Sequence, residues 1–352
     1  MSELASEPSN AVALARDGFA RRKLLGILSG GVLAQSCYAV ARLGVPDLLA
    51  SGPRTVADLA TECGADPQVL HRLLRALASL GLFRRTAPDT YELTSVGDLL
   101  RSDVPGSLRQ TAVLHGEEVA RSFAEIVHTV RTGEPAFDKV HGQPFYDYLA
   151  GHPDTADTFV AAMGSERVPA ALAGCDLTGV ATVVDVGGGN GGLLAEVLAA
   201  HPDARGVLLE LPDSVRAARA WLAEAGMADR VELVEGSFFD EIPAGGDVYV
   251  LARVLHNWTD EHAEVILRQV GSAMGRGARL LVFEKFLPEE PASAGAAAMV
   301  DLLMLGMLEG HDRTAAEYVA LLDKAGFEVV AVRPAADPSA EGAIEATVRC
   351  GR

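Results

Sequence analysis

Residues Thr182 to Gly192 read TVVDVGGGNGG. An apolar, β-branched run ends beside a carboxylate, Asp185, and a glycine-rich turn follows. The next residues, LLAEVLAAH, have helical composition. Strand, glycine turn and helix in that order make the first half of a strand–helix–strand unit. Gly187, Gly189 and Gly192 spell G-x-G-x-x-G, and glycine lets the backbone turn tightly and approach a ligand closely.

Further runs downstream alternate with helical stretches: ARGVLLEL, RVELVEGS, DVYVLARVL, RLLVFEKFL, FEVVAVRP and IEATVRC. Such alternation predicts an α/β fold with a Rossmann-like, doubly wound, mostly parallel sheet. Glu210 ends the second run, where a carboxylate can accept hydrogen bonds from a ribose diol. The glycine turn by itself fits a nicotinamide or another adenosyl cofactor equally. Three details favour S-adenosylmethionine. Asp185 can orient the turn and meet a cationic ligand. A long helical region precedes the motif. The third run ends in EGSFFD, where Ser237 can bond an adenine and Phe238 can pack on it.

Upstream, residues 1–105 read as helices plus a small β element. Thr55 is a helix N-cap candidate, and Asp66 caps the next helix with Pro67 at its first position. FRRTAPDTYELTSVGDLL then reads as two short strands and a capped helix start, a winged-helix pattern. Residues 106–175 read as mostly helical with a loop at TGEPAFDKVHGQPF, and residues 176–352 form the sheet domain. The stretch Leu24–Ala41 carries no charge. Its length reaches the lower limit for a membrane span, but Ser29, Gly30, Gly31, Gln35 and Ser36 dilute it. A buried helix, packed against a partner subunit, is the expectation.

The balance of 30 Lys+Arg against 48 Asp+Glu leaves a net charge of −18, which repels nucleic acid and anionic membranes. The second helix of the winged element offers only His71, Arg72 and Arg75 to a phosphate backbone. None of the four cysteines forms a C-x-x-C pair, and no H-E-x-x-H cluster occurs, so no metal is expected. The polar, acidic MSELASEPSN start has no basic region of a signal peptide, which makes the cytoplasm the expected location.

Several ordered motifs now coincide: VVDVGGGNGG, LLELP, EGSFF, RVLHNWTDEHAEVIL, FEKFLP and GHDRTAAEY. Over nearly its whole length the chain resembles the dimeric S-adenosylmethionine-dependent small-molecule O-methyltransferases. These include plant caffeate and acetylserotonin enzymes and bacterial polyketide-tailoring enzymes. The resemblance implies a homodimer formed through the N-terminal winged-helix dimerisation domain. It implies that Asp185, Gly187, Gly189, Glu210, Leu211, Ser237, Phe238 and Arg253 hold S-adenosylmethionine, which leaves as S-adenosylhomocysteine. It further implies that His256 is the catalytic base, with Glu284 and Asp312 as the carboxylates that flank it. The family often has Asp where Ser237 stands, and it usually has Asp where Asn257 stands, a position that helps to place the substrate's oxygens.

Each assignment has a plainer counterpart: His256 as a packed strand-end residue, Glu284 and Asp312 as solvated loop charges, Trp258 as packing. An apolar acceptor pocket is expected from Phe145, Tyr146, Phe159, Met163, Met304 and Met307, with Asn257 at its edge. A Met or Phe at helical spacing is also ordinary core. His311 is singled out because it adjoins Asp312. The implied reaction is methylation of a phenolic hydroxyl on a polyketide-derived, polycyclic or naphthoate-like metabolite. The alternative is a relative that binds the same cofactor but hydroxylates or decarboxylates. In the hydroxylase type the histidine is not kept, so His256 favours methyl transfer.

Overall fold

The structure is a computed structural model that describes residues 10–164, 168–288, 290, 295–335, 337 and 340–349. The described chain divides into two compact units between Gly116 and Glu117. The helical stretch after residue 117 thus shares a unit with the large sheet.

In the first unit, Thr55 Oγ1 accepts from Asp58 N–H and starts the helix Val56–Cys63. Asp66 accepts from the Gln68 and Val69 amides and starts Pro67–Ser79. Strands β1 (Arg54–Thr55), β2 (Phe83–Ala87) and β3 (Thr90–Leu93) pair antiparallel in the order β1-β3-β2. Their core is Leu59, Leu70, Leu74, Leu77, Phe83 and Tyr91. The helix–helix–wing expectation is met.

The uncharged N-terminal stretch differs from expectation in being broken. It forms two helices, Asn10–Leu28 and Gly30–Arg42, with Ser29 between them. Leu24, Ile27, Leu28 and Val32 are each more than half exposed. Glycines at 30 and 31 weaken a continuous helix, and a thin helical unit has too little surface of its own to cover these side chains. By length and composition, Gly18–Arg42 could cross a membrane.

The second unit holds seven strands: β4 (Thr182–Val186), β5 (Arg205–Glu210), β6 (Val231–Glu235), β7 (Val248–Ala252), β8 (Arg279–Glu284), β9 (Phe327–Arg333) and β10 (Gly342–Val348). Their order is β6-β5-β4-β7-β8-β10-β9. The first five run parallel, and β10 is antiparallel to both β8 and β9. Alternate residues feed opposite faces. Val184, Val186, Tyr249, Leu251 and Val282 pack with the helices Asp260–Ala273 and Ala315–Lys324. Val183, Leu208, Val250, Leu281 and Phe283 pack with Gly192–Ala200.

Two local expectations are corrected. The loop expected over 132–145 contains a short helix, Ala136–His141, whose Ala136 and Phe137 are buried. The run DVYVLARVL does not carry a strand as far as His256. β7 stops at Ala252, Arg253 takes φ 57°, and Leu255–Asn257 form a 3-10 turn. The helix that carries Met304 and Met307 runs from Gly295 to Met307.

Candidate active site

The strand order reverses between β4 and β7, so the turns after these strands flank a crevice at the carboxyl edge of the sheet. That is where open α/β sheets bind ligands. Gly187 takes φ 73°, and a Cβ there would press Val254 at 3.0 Å and Phe238 at 3.3 Å. Val254, two residues before His256, is thus packed against the glycine turn. Gly189 takes φ 61° with open space where its Cβ would stand. Its N–H donates to Glu210 Oε1 at 3.1 Å, and Leu211 N–H donates to Glu210 Oε2 at 2.6 Å. Glu210 therefore fastens the first turn to the second. Leu211 itself is exposed and caps the helix Pro212–Glu224.

Asp185 is fully buried, and neither carboxylate oxygen has a hydrogen-bond partner among the described residues. Burial, then the Glu210 charge, pushes its carboxyl up to about 7, against the pull of Arg253. A buried acid of this kind suits a ligand that brings positive charge. Gly188, which sequence reasoning passed over, is what leaves room for it: a Cβ there would stand 2.2 Å from Asp185 Oδ2. Burial also raises the Glu210 carboxyl, opposed by the two amides it accepts from. These residues fit a cationic adenosyl cofactor: an acid for the charged end, an open glycine edge, and a second acid for a diol.

Ser237 Oγ accepts from Phe239 N–H at 3.2 Å and so shapes the third turn. Phe238 and Phe239 meet the Trp258 ring edge-on, and Trp258 stacks on Tyr146 with centroids 5.5 Å apart. Trp258 packs, as one reading held, but its buried Nε1–H has no partner among the described residues. Burial and then the Glu210 charge raise the Tyr146 phenol. Tyr146 thus lies within electrostatic reach of the Glu210 carboxylate. Phe145 is buried in an edge-to-face cluster with Phe137, Phe159 and Tyr146 itself, so the aromatic groups are continuous. Met304 and Met307 are buried, whereas Met163 is exposed.

The three catalytic candidates come together. His256 Nδ1 lies 3.0 Å from Asp312 Oδ1 and 3.9 Å from Glu284 Oε2. Both carboxylates are buried. Glu284 Oε1 accepts from Leu255 N–H at 2.8 Å and from His256 N–H at 3.4 Å. Burial raises the Glu284 carboxyl, His256 lowers it, and Asp312 raises it again. Asp312 N–H in turn donates to Asp301 Oδ1 at 3.0 Å. Asn257 Nδ2 donates to Arg253 O at 3.2 Å, closing the turn that presents the imidazole. The Arg253 guanidinium stands 3.6 Å from Glu341. His311 is half-exposed and points to Asp260, 3.9 Å away.

Besides Gly188, sequence reasoning missed Asp301, Arg313 and Gly310. A Cβ on Gly310 would stand 2.1 Å from His256 O. Arg313 is fully buried behind the same turn. The available signal for Gly310 and Arg313 was their place in the polar GHDRT run beside Asp312, and for Asp301 a lone charge in the apolar MVDLLM run.

Residues 123–328 match the model of the O-methyltransferase domain, and residues 25–103 match that of the O-methyltransferase dimerisation domain. The chain belongs to the O-methyltransferase family. This methyltransferase is 40% identical to a phenazine O-methyltransferase of Lysobacter antibioticus, over 89% of this chain and 92% of that one. It is 42% identical to the 8-amino-8-demethylriboflavin N,N-dimethyltransferase of Streptomyces davaonensis, over 85% and 88%. A solved O-methyltransferase from neocarzinostatin biosynthesis, in complex with S-adenosylmethionine and 2-hydroxy-5-methyl naphthoic acid, matches it with a TM-score of 0.77. That pair shares 36% identity, over 90% of this chain and 96% of the other. The methyltransferase fold and the dimerisation domain expected from sequence are both present. Among the described residues no group of three or more His, Cys, Asp or Glu could hold a metal ion.

Proposed function

We propose that this methyltransferase uses S-adenosylmethionine to methylate a phenolic hydroxyl on a polycyclic or naphthoate-like aromatic metabolite, with His256 as general base. The observation that carries the reading is the 3.0 Å contact between His256 Nδ1 and Asp312, beside a glycine turn that Val254 packs against. When bound, S-adenosylmethionine supplies an electrophilic methyl group on a sulfonium.

The chain's own residues then have a defined task. A phenol has a pKa of about 10 and histidine one of about 6.5, so full prior deprotonation by histidine would cost ~5 kcal/mol. A base that takes the proton while the new bond forms avoids part of that cost. Asp312 holds Nδ1, so Nε2 is the nitrogen that receives the proton. The imidazolium that results is met by Asp312 and Glu284, two buried carboxylates. Asp185 and Glu210 hold the cofactor's charged and diol ends, and Tyr146 with Trp258 and Phe238 shields it from water.

The apolar N-terminal helices serve a homodimer in this reading, not a membrane, and the enzyme works in the cytoplasm without nucleic acid. The test is incubation with S-adenosylmethionine and a panel of hydroxynaphthoic acids and other phenols, read by mass for a gain of CH2. His256→Ala should lower kcat by roughly 10²–10⁴, the usual worth of a general base. Cofactor affinity should hold, and a more acidic phenol should restore part of the rate. A variant with near wild-type kcat sinks the base assignment.

A further inference from the structure

Burying a guanidinium is costly unless its donors are met. Arg313 is 1% exposed, and its donors are met by one carboxylate and three carbonyls. Nε donates to Asp260 Oδ1 at 2.8 Å, Nη1 to Leu255 O at 3.0 Å and His311 O at 3.4 Å, and Nη2 to Trp258 O at 2.9 Å. Its Cζ lies 5.7 Å from the Tyr318 ring centroid. Leu255 and Trp258 bracket His256 and Asn257. The Leu255 peptide is therefore held on both sides, its N–H by Glu284 and its carbonyl by Arg313.

The Arg313 main chain has a second attachment. Leu287 N–H donates to Arg313 O at 3.0 Å, and Phe286 and Arg313 form an isolated parallel bridge. These residues continue the segment that carries Glu284. The residue before Arg313 is Asp312, which takes His256 Nδ1. One residue thus joins the segments of the imidazole and of both carboxylates.

We propose that Arg313 is the positioning residue of the proton-transfer site, its forked guanidinium setting the distance between the His256 ring and Asp312. The proposal rests on His256 being the base. The planar fork serves three carbonyls and a carboxylate at once, and a lysine ammonium keeps the charge but loses that geometry. The guanidinium does not touch the acceptor. Its loss therefore acts on the rate of the step and leaves binding nearly intact.

The experiment compares full-length wild type, Arg313→Lys, Asp260→Asn and His256→Ala, with a hydroxynaphthoic acid that the wild type methylates. Arg313→Lys should lower kcat roughly 10- to 100-fold, the scale of an ångström-sized misplacement. The KM values for both substrates should change less than about threefold. The groups facing the ring are Asp312 and Glu284, and a carboxylate held close favours the imidazolium. Loosening the Asp312 contact should therefore move the acid limb of the kcat–pH profile to lower pH. A folded Arg313→Lys variant with wild-type kcat, or with a loss that leaves the pH profile unchanged, overturns the proposal. Should Arg313→Lys not fold, Asp260→Asn decides. It removes the charge that Nε and Nη2 share and leaves the carbonyl contacts, and should give a smaller kcat loss with the same displacement of the acid limb. An unaltered Asp260→Asn profile refutes the role. Wild-type kcat in His256→Ala would instead remove the base reading, so the two failures are told apart.

Discussion

Replacing Gly310 with alanine tests whether the proton-transfer geometry depends on close backbone packing. Gly310 is buried, and its φ lies outside the left-handed region, so alanine meets no intrinsic backbone strain there. The added Cβ would stand 2.1 Å from His256 O, 2.2 Å from Asn257 C and 2.3 Å from Trp258 N. Ordinary contact begins at 3.4 Å, so the turn must retreat by more than 1 Å. These are main-chain atoms and cannot rotate away. The turn is also pinned by Glu284 on Leu255 N–H and by Arg313 on Leu255 O and Trp258 O. Overpacking of this kind costs ~1–3 kcal/mol of stability. A displacement near 1 Å at a reacting group costs about 10²-fold in rate. Gly310→Ala should therefore lose roughly 10² in kcat along with a modest loss of stability, measured by mass-resolved turnover and by urea unfolding. Gly275→Ala is the control, since that glycine is exposed, has no positive φ and has nothing within 4 Å of its Cβ position. Wild-type turnover and stability in Gly310→Ala would refute the packing argument.

Asp185 gives a pH prediction. Its folded carboxyl titrates near 7 against about 3.9 unfolded. The unliganded protein should lose stability from this group as pH rises from about 4 to about 7, and Asp185→Asn should abolish that slope in urea melts. A cationic ligand favours the carboxylate, so calorimetry should find S-adenosylmethionine affinity higher at about pH 8 than at about pH 5.5, with a flatter response in Asp185→Asn. The exposed Leu24, Ile27, Leu28 and Val32 predict a dimer by light scattering, at twice the 36.9 kDa chain mass. Ile27→Asp combined with Val32→Asp should shift it to monomer at micromolar concentration, and an unchanged dimer would place the interface elsewhere.

What was legible in the sequence follows from where the physics is local. Helix starts at Thr55 and Asp66 depend on side chains two or three residues from the amides they cap, and both were read correctly. Strand β9 was legible because it alternates buried and solvated residues, and β4, β7 and β8 because buried parallel strands are nearly continuous apolar runs. The same property hid the end of β7. Val254 and Leu255 are as buried as strand residues, at 4% and 0% exposure, so hydrophobicity cannot distinguish a buried turn from more strand. Arg313 was illegible for the opposite reason: a charge in a polar run reads as solvated. Two of its carbonyl partners stand 55 and 58 residues earlier in the chain.

The left-handed turn also explains the one departure inside the histidine motif. Arg253 alone among the described non-glycine residues has positive φ, a conformation that persists only where its surroundings enforce it. Its N–H is held by Phe283 O at 2.8 Å, and its carbonyl accepts from Asn257 Nδ2 at 3.2 Å. An ionised aspartate has no donor and could not make the second bond. Asparagine at 257 therefore fits a closure of this turn from within, and closure has two consequences. It carries Val254 against Gly187, and it aims His256 at Asp312. The cofactor turn and the base then depend on the same strained residue. An Asn257 amide engaged in this way has one hydrogen of its Nδ2 committed to the main chain, leaving its carbonyl and the other hydrogen as what it can offer an acceptor.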